Sequence, residues 1–90
     1  MAPIDIFREL EKLARRLGVK VRIEPFEFLE ARGGICRVKG VPTVIVPAGL
    51  PLLDKIGVLS DALGRYNLEV LYVPPIIRRR ISRQKQPQLR

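Results

Sequence analysis

From Gly33 to Pro47 the chain reads Gly-Gly-Ile-Cys-Arg-Val-Lys-Gly-Val-Pro-Thr-Val-Ile-Val-Pro. Two runs of strand-forming residues meet at Lys39-Gly40, with a double glycine at the entrance and a proline at the exit. The pattern predicts a β-hairpin turning at Lys39-Gly40. Cys36 and Val38 then share one face, and Ile35, Arg37 and Lys39 the other. Across the turn, Val44 and Val46 oppose Val41, Thr43 and Ile45. Pro42 has no N–H to give to a ladder, which predicts that its strand lies at a sheet edge.

The flanking segments supply the remaining elements. Ile6, Phe7, Leu10, Leu13, Ala14 and Leu17 recur at spacings of three and four, so a helix is predicted over Pro3 to Leu17, stopped by Gly18. Val19, Val21 and Ile23 alternate with Lys20, Arg22 and Glu24 as in a strand with one wet face. Pro25 to Arg32 reads as a loop that pins Phe26 and Phe28 onto the core. With the hairpin, this predicts a three-stranded antiparallel meander packed on the first helix.

Beyond the hairpin, Pro51 opens a second helix predicted to run to Tyr66, with Asn67 as its left-handed terminator. Its buried stripe is Leu52, Leu53, Ile56, Leu59, Leu63 and Tyr66. Leu68 to Val73 is apolar apart from Glu69, and reads either as a short fourth strand or as an extended segment covering the core. Pro75 to Arg83 is predicted to be a short basic helix, with Ile77 and Ile81 inward and Arg78, Arg79, Arg80 and Arg83 outward. The expected fold is thus α+β, one domain over 1–83, followed by a disordered basic tail over 84–90. At 90 residues the chain has room for one domain with a modest stability margin. Burial of a patch against a second copy would add to that margin.

Charge is unevenly placed. Of the net +8, six charges come from Arg78, Arg79, Arg80, Arg83, Lys85 and Arg90, a stretch without a single acid. Clustered arginine binds phosphates with release of counterions, so nucleic acid is an expected alternative partner. Arg8, Lys12 and Arg15, on the polar face of the first helix, are candidate further contacts, with Arg16 beside them. No aromatic residue in the tail can stack on bases, and Tyr66 and Tyr72 are assigned to core packing. The longest apolar run, Val41 to Leu53, is broken by prolines and falls short of the roughly 20 residues a membrane span requires.

The chain has no histidine, which removes the commonest general base and zinc ligand. No catalytic, cofactor-binding or metal-binding residues are assigned. Cys36, the only cysteine, reads as a small hydrophobe on the core face with Val38 rather than as a thiolate beside Arg37. A lone thiol and the absence of a secretory start point to the cytoplasm.

Leu17-Gly18-Val19-Lys20-Val21, Gly33-Gly34-Ile35-Cys36, Val44-Ile45-Val46 and Leu63-Gly64 come in an order that resembles the N-terminal part of ImmA/IrrE-type zinc metallopeptidase domains. The likeness covers Ile6 to Tyr66. That family's active helix carries His-Glu-x-x-His, and Asp61, Ala62, Leu63, Gly64 and Arg65 stand in its place here. The chain is similar also to short uncharacterised bacterial α/β proteins with the same Gly-Gly-x-Cys-Arg hairpin and a Leu-Glu…Pro-Pro ending, here Leu68-Glu69 and Pro74-Pro75. The resemblance implies a degenerate, non-catalytic relative. A small cytoplasmic interaction module is therefore the expected function, binding another protein or itself. Its expected surfaces are the second helix, the Pro42 strand edge and the Ile76-Ile77-Ile81 cluster.

Overall fold

The structure, a computed structural model, describes residues 1–25 and 34–85. Among them the chain forms helix α1 (Pro3–Arg16), strands β1 (Lys20–Glu24), β2 (Gly34–Val38) and β3 (Val41–Pro47), and helices α2 (Leu52–Leu63) and α3 (Pro75–Lys85). The fold class is α+β. The loop expected after Pro25 and residues 86–90 of the expected tail lie outside the described residues, while Gln84 and Lys85, also assigned to that tail, continue helix α3.

Helix α1 follows its sequence signals closely. Pro3 sits in the first turn, where its missing N–H costs nothing, and Asp5 there and Arg15 and Arg16 in the last turn complement the helix dipole. Phe7, Leu10, Leu13 and Ala14 are buried. At the far end Gly18 takes φ +76°, a conformation that costs other residues about 1–2 kcal/mol. The Gly18 N–H donates to the Arg15 carbonyl at 3.1 Å and the Val19 N–H to the Ala14 carbonyl at 2.9 Å, which satisfies the last carbonyls of the helix. Val19 is thereby delivered, buried, into the start of β1.

The sheet is mixed and its order is β1-β3-β2, not an antiparallel meander. Strand β3 is central, parallel to β1 from Lys20 opposite Thr43 to Glu24 opposite Pro47, and antiparallel to β2 from Gly34 opposite Ile45 to Val38 opposite Val41. The strand in the middle is the one that most needs cover: Val44 and Val46 are fully buried, whereas β2 carries exposed Cys36 and Arg37. Pro42 therefore does not mark an edge. Antiparallel pairs alternate between bonded and non-bonded, and with Val38 and Val41 closing the turn, Arg37 and Pro42 form a non-bonded pair. The proline nitrogen then points to the β1 side, where pairing begins only at Thr43. The turn itself is as expected at Lys39-Gly40, with φ of 53° and 82°, the positive pair of a type I′ hairpin.

Helices cover one face of the sheet. α1 packs on β1 and α2; α2 packs on β2, β3 and α3; and α3 touches α1 and α2 but no strand. The face toward the helices carries Val19, Val21, Ile35, Val44 and Val46. Cys36 lies on the opposite face and is exposed, so its assignment to the core with Val38 does not hold.

Helix α2 buries Ile56, Leu59, Ala62 and Leu63, but it ends at Leu63 rather than at Tyr66, and Leu53 is exposed. Asn67 is not a left-handed stop, since Lys39 is the sole non-glycine residue with positive φ among those described. Instead its side-chain oxygen accepts the Glu69 N–H at 3.0 Å, an Asx turn. Leu68 to Val73 is a turn-containing segment and not a strand, with Leu68 and Val73 buried at its two ends. Pro74 then accepts from the N–H groups of Ile77 and Arg78, both at 2.9 Å, as α3 begins. Ile77 and Ile81 are 1% and 2% exposed. The Ile76-Ile77-Ile81 cluster is thus largely covered within the chain itself.

Candidate interaction surface

The segment between α2 and α3 is held from two sides. Arg16, on the last turn of α1, donates from Nη1 to the Tyr72 carbonyl at 2.8 Å. Arg78, on the first turn of α3, reaches back with Nη2 to the Leu68 and Leu71 carbonyls at 3.4 and 3.3 Å. Within the segment the Leu71 N–H donates to the Leu68 carbonyl at 3.2 Å. The 2.8 Å bond from Arg16 has the length of a strong charge-assisted bond, whereas the Arg78 contacts are long and weaker, so the tie to α1 is the firmer of the two.

What that path displays is apolar. Val70 is 82% exposed and Tyr72 71% exposed, while Leu71 between them is half-buried against the core. The expected core role of Tyr72 fails because the turn at Leu68–Leu71 leaves Leu68, Leu71 and Val73 toward the core and Val70 and Tyr72 toward solvent. Tyr66 does pack against the core. Beside Tyr72 lies a depression of about 110 Å³ lined in part by Lys12, Leu13, Arg16 and Ile77. Lys12 is paired with Glu9 at 3.2 Å at its rim.

The basic residues are dispersed by the fold. Arg8, Lys12 and Arg15 are exposed on α1. Of the α3 arginines, Arg79 and Arg83 are exposed; Arg78 is half-buried and engaged with carbonyls, and Arg80 is half-buried. The four arginines lie on the helix predicted for them, but not all of them point outward. Lys85 is the last residue of that helix. Arg79, Arg80 and Arg83 are brought together in one cleft with Ile6 and Ile76.

Among the described residues no three His, Cys, Asp or Glu side chains come together in a metal-binding arrangement. Asp61, at the position of the first histidine of His-Glu-x-x-His, pairs at 3.2 Å with Arg65 in the turn after α2, both exposed. No helix among the described residues is long and apolar enough to cross a membrane. Sequence reading missed Arg16 and Arg78 as clamps and Val70 and Tyr72 as a displayed pair. The available signal was Asn67, whose turn chemistry argues against a continuous apolar strand after it. Comparison of the chain with protein-family models, with curated proteins and with solved structures gave no match.

Proposed function

We propose that this chain is a non-catalytic protein-interaction module whose contact surface is centred on Val70 and Tyr72. One observation carries the reading: an aliphatic and an aromatic side chain stand exposed on a segment that Arg16 and Arg78 contact. Ordering a loop on binding costs free energy, so a segment fixed beforehand favours association. Tyrosine is enriched at the energetic centres of interfaces. A binding rather than a chemical role also follows from the lack of histidine and from the substitution of Asp61 to Arg65 for His-Glu-x-x-His in the metallopeptidase resemblance.

The partner is another protein with a negatively charged rim. With a net charge of +8, two copies repel each other, and a complementary acidic surface gains from the same field. The exposed free thiol of Cys36 suits a reducing compartment, in keeping with a cytoplasmic module. The test is the paired variant Val70→Ser/Tyr72→Ser. It should keep the thermal stability of the parent and lose the partner that the parent captures from cells. Retention of the same partner by the variant would overturn the assignment, as would concentration-dependent dimerisation of the purified parent in light scattering.

A further inference from the structure

Residues Ile76, Arg79, Arg80 and Arg83 are spaced i, i+3, i+4, i+7 and so form one stripe of α3. Ile6 of α1 stands across from that stripe, and these side chains line a cleft of about 220 Å³. No acid is among them. Helix α3 has none anywhere in its sequence, and none of its arginines enters an ion pair among the described residues. Three arginines therefore line one small space, with no ion pair to any of them among the described residues.

Arg80 adds a second observation. Its Nε is buried and finds no acceptor among the described residues. A buried charged donor without an acceptor costs on the order of 1–3 kcal/mol or more, and a rotation of the Arg80 side chain that brings its guanidinium to an oxygen-rich anion in the cleft recovers that cost. Arg79 and Arg83 lie about 6 Å apart along the helix axis, by the rise of four residues. That is a compact fork and not a track for a polymer backbone. Among the described residues no aromatic side chain lines the cleft for base stacking, while Ile6 and Ile76 give it an apolar wall.

We infer that this cleft binds a phosphomonoester group: Arg79, Arg80 and Arg83 take its oxygens, and Ile6 and Ile76 take the apolar body that carries it. A monoester offers up to three terminal oxygens and close to two charges, which matches several guanidinium forks better than a diester does. A soluble phosphate ester and a lipid with a terminal phosphate share this chemistry. The site is separate from the Val70 and Tyr72 surface and does not depend on it.

The experiment follows the arginine Nε–H resonances of the full chain by NMR during titration with phenyl phosphate, with inorganic phosphate and with vesicles of neutral lipid with or without phosphatidic acid. Saturable shifts of Arg80 Nε–H with phenyl phosphate, at several-fold lower concentration than with inorganic phosphate, support a soluble ester. Binding confined to the phosphatidic-acid vesicles supports the lipid source. Arg80→Lys keeps the charge and removes the fork, and should weaken binding at least tenfold, whereas Lys20→Gln on the sheet should not change it. Should Arg80→Lys fail to fold, Arg79→Lys, at an exposed side chain, serves the same comparison. The inference is overturned if no ligand saturates the signal, if Lys20→Gln weakens binding as much as the arginine variants, or if single-stranded DNA binds and phenyl phosphate does not compete.

Discussion

The guanidinium of Arg16 donates to the backbone carbonyl of Tyr72, 56 residues later, at 2.8 Å. The C-terminal turn of α1 is thereby tied to the segment that presents Val70 and Tyr72. The bond is exposed to solvent, so its contribution to global stability is small, and its effect is local. Arg16→Ala should lower the unfolding free energy by no more than about 1 kcal/mol. The amides of Glu69 to Val73 should nevertheless exchange with solvent several-fold faster, as read by hydrogen–deuterium exchange. Unchanged exchange there would mean that the clamp is not what orders the segment.

Helix α3 is part of the core and not an appendage. Ile77, 1% exposed beneath α1 and α2, should cost about 2–5 kcal/mol when cut to alanine. Ile76, half-buried, should cost distinctly less. Urea denaturation of the two variants checks the order, and equal small effects would show that α3 detaches without consequence.

Ser60 is fully buried in α2 with its Oγ lacking a partner among the described residues. Replacing a buried unsatisfied hydroxyl with a methyl-sized group removes a desolvation cost without leaving a large void. Ser60→Ala should therefore be neutral or stabilising by up to about 1 kcal/mol. A marked loss of stability in thermal denaturation would reveal a hydrogen bond that Ser60 does make.

Lys39 takes φ 53° in the type I′ turn, where asparagine is better tolerated. Lys39→Asn should stabilise the chain by about 0.5–1 kcal/mol, since asparagine enters that region at lower cost. Thermal denaturation reports it, and destabilisation would argue against this turn geometry.

The sequence made some of this legible and hid the rest for physical reasons. Gly18, Lys39-Gly40 and Pro75 act locally, so α1, the hairpin turn and the start of α3 could be read from neighbours alone. Strand order is not local. Whether β1 joins β2 or β3 depends on which strand most needs cover, and the proline signal at Pro42 pointed the wrong way because its nitrogen faces the side where β1 has not yet begun. Apolar content likewise did not reveal exposure. Val70 is as apolar as Leu71 and Val73, and Tyr72 carries an aromatic ring that also suits a core, so composition does not say which side chains turn inward; the Asn67 turn and the contacts from Arg16 and Arg78 accompany the observed choice. The arginines of α3 read as one uniform basic run, yet Arg78 braces carbonyls, Arg80 turns partly inward, and Arg79 and Arg83 remain in solvent.

The most direct test places a photo-activated benzophenone side chain at position 72 of the full chain in cells, with position 53, also exposed, as a reference. The account predicts one discrete adduct to a different protein at 72, absent at 53 and lost when Val70→Ser is added. Adducts equal at both positions, or an adduct of two copies of this chain alone, would contradict it.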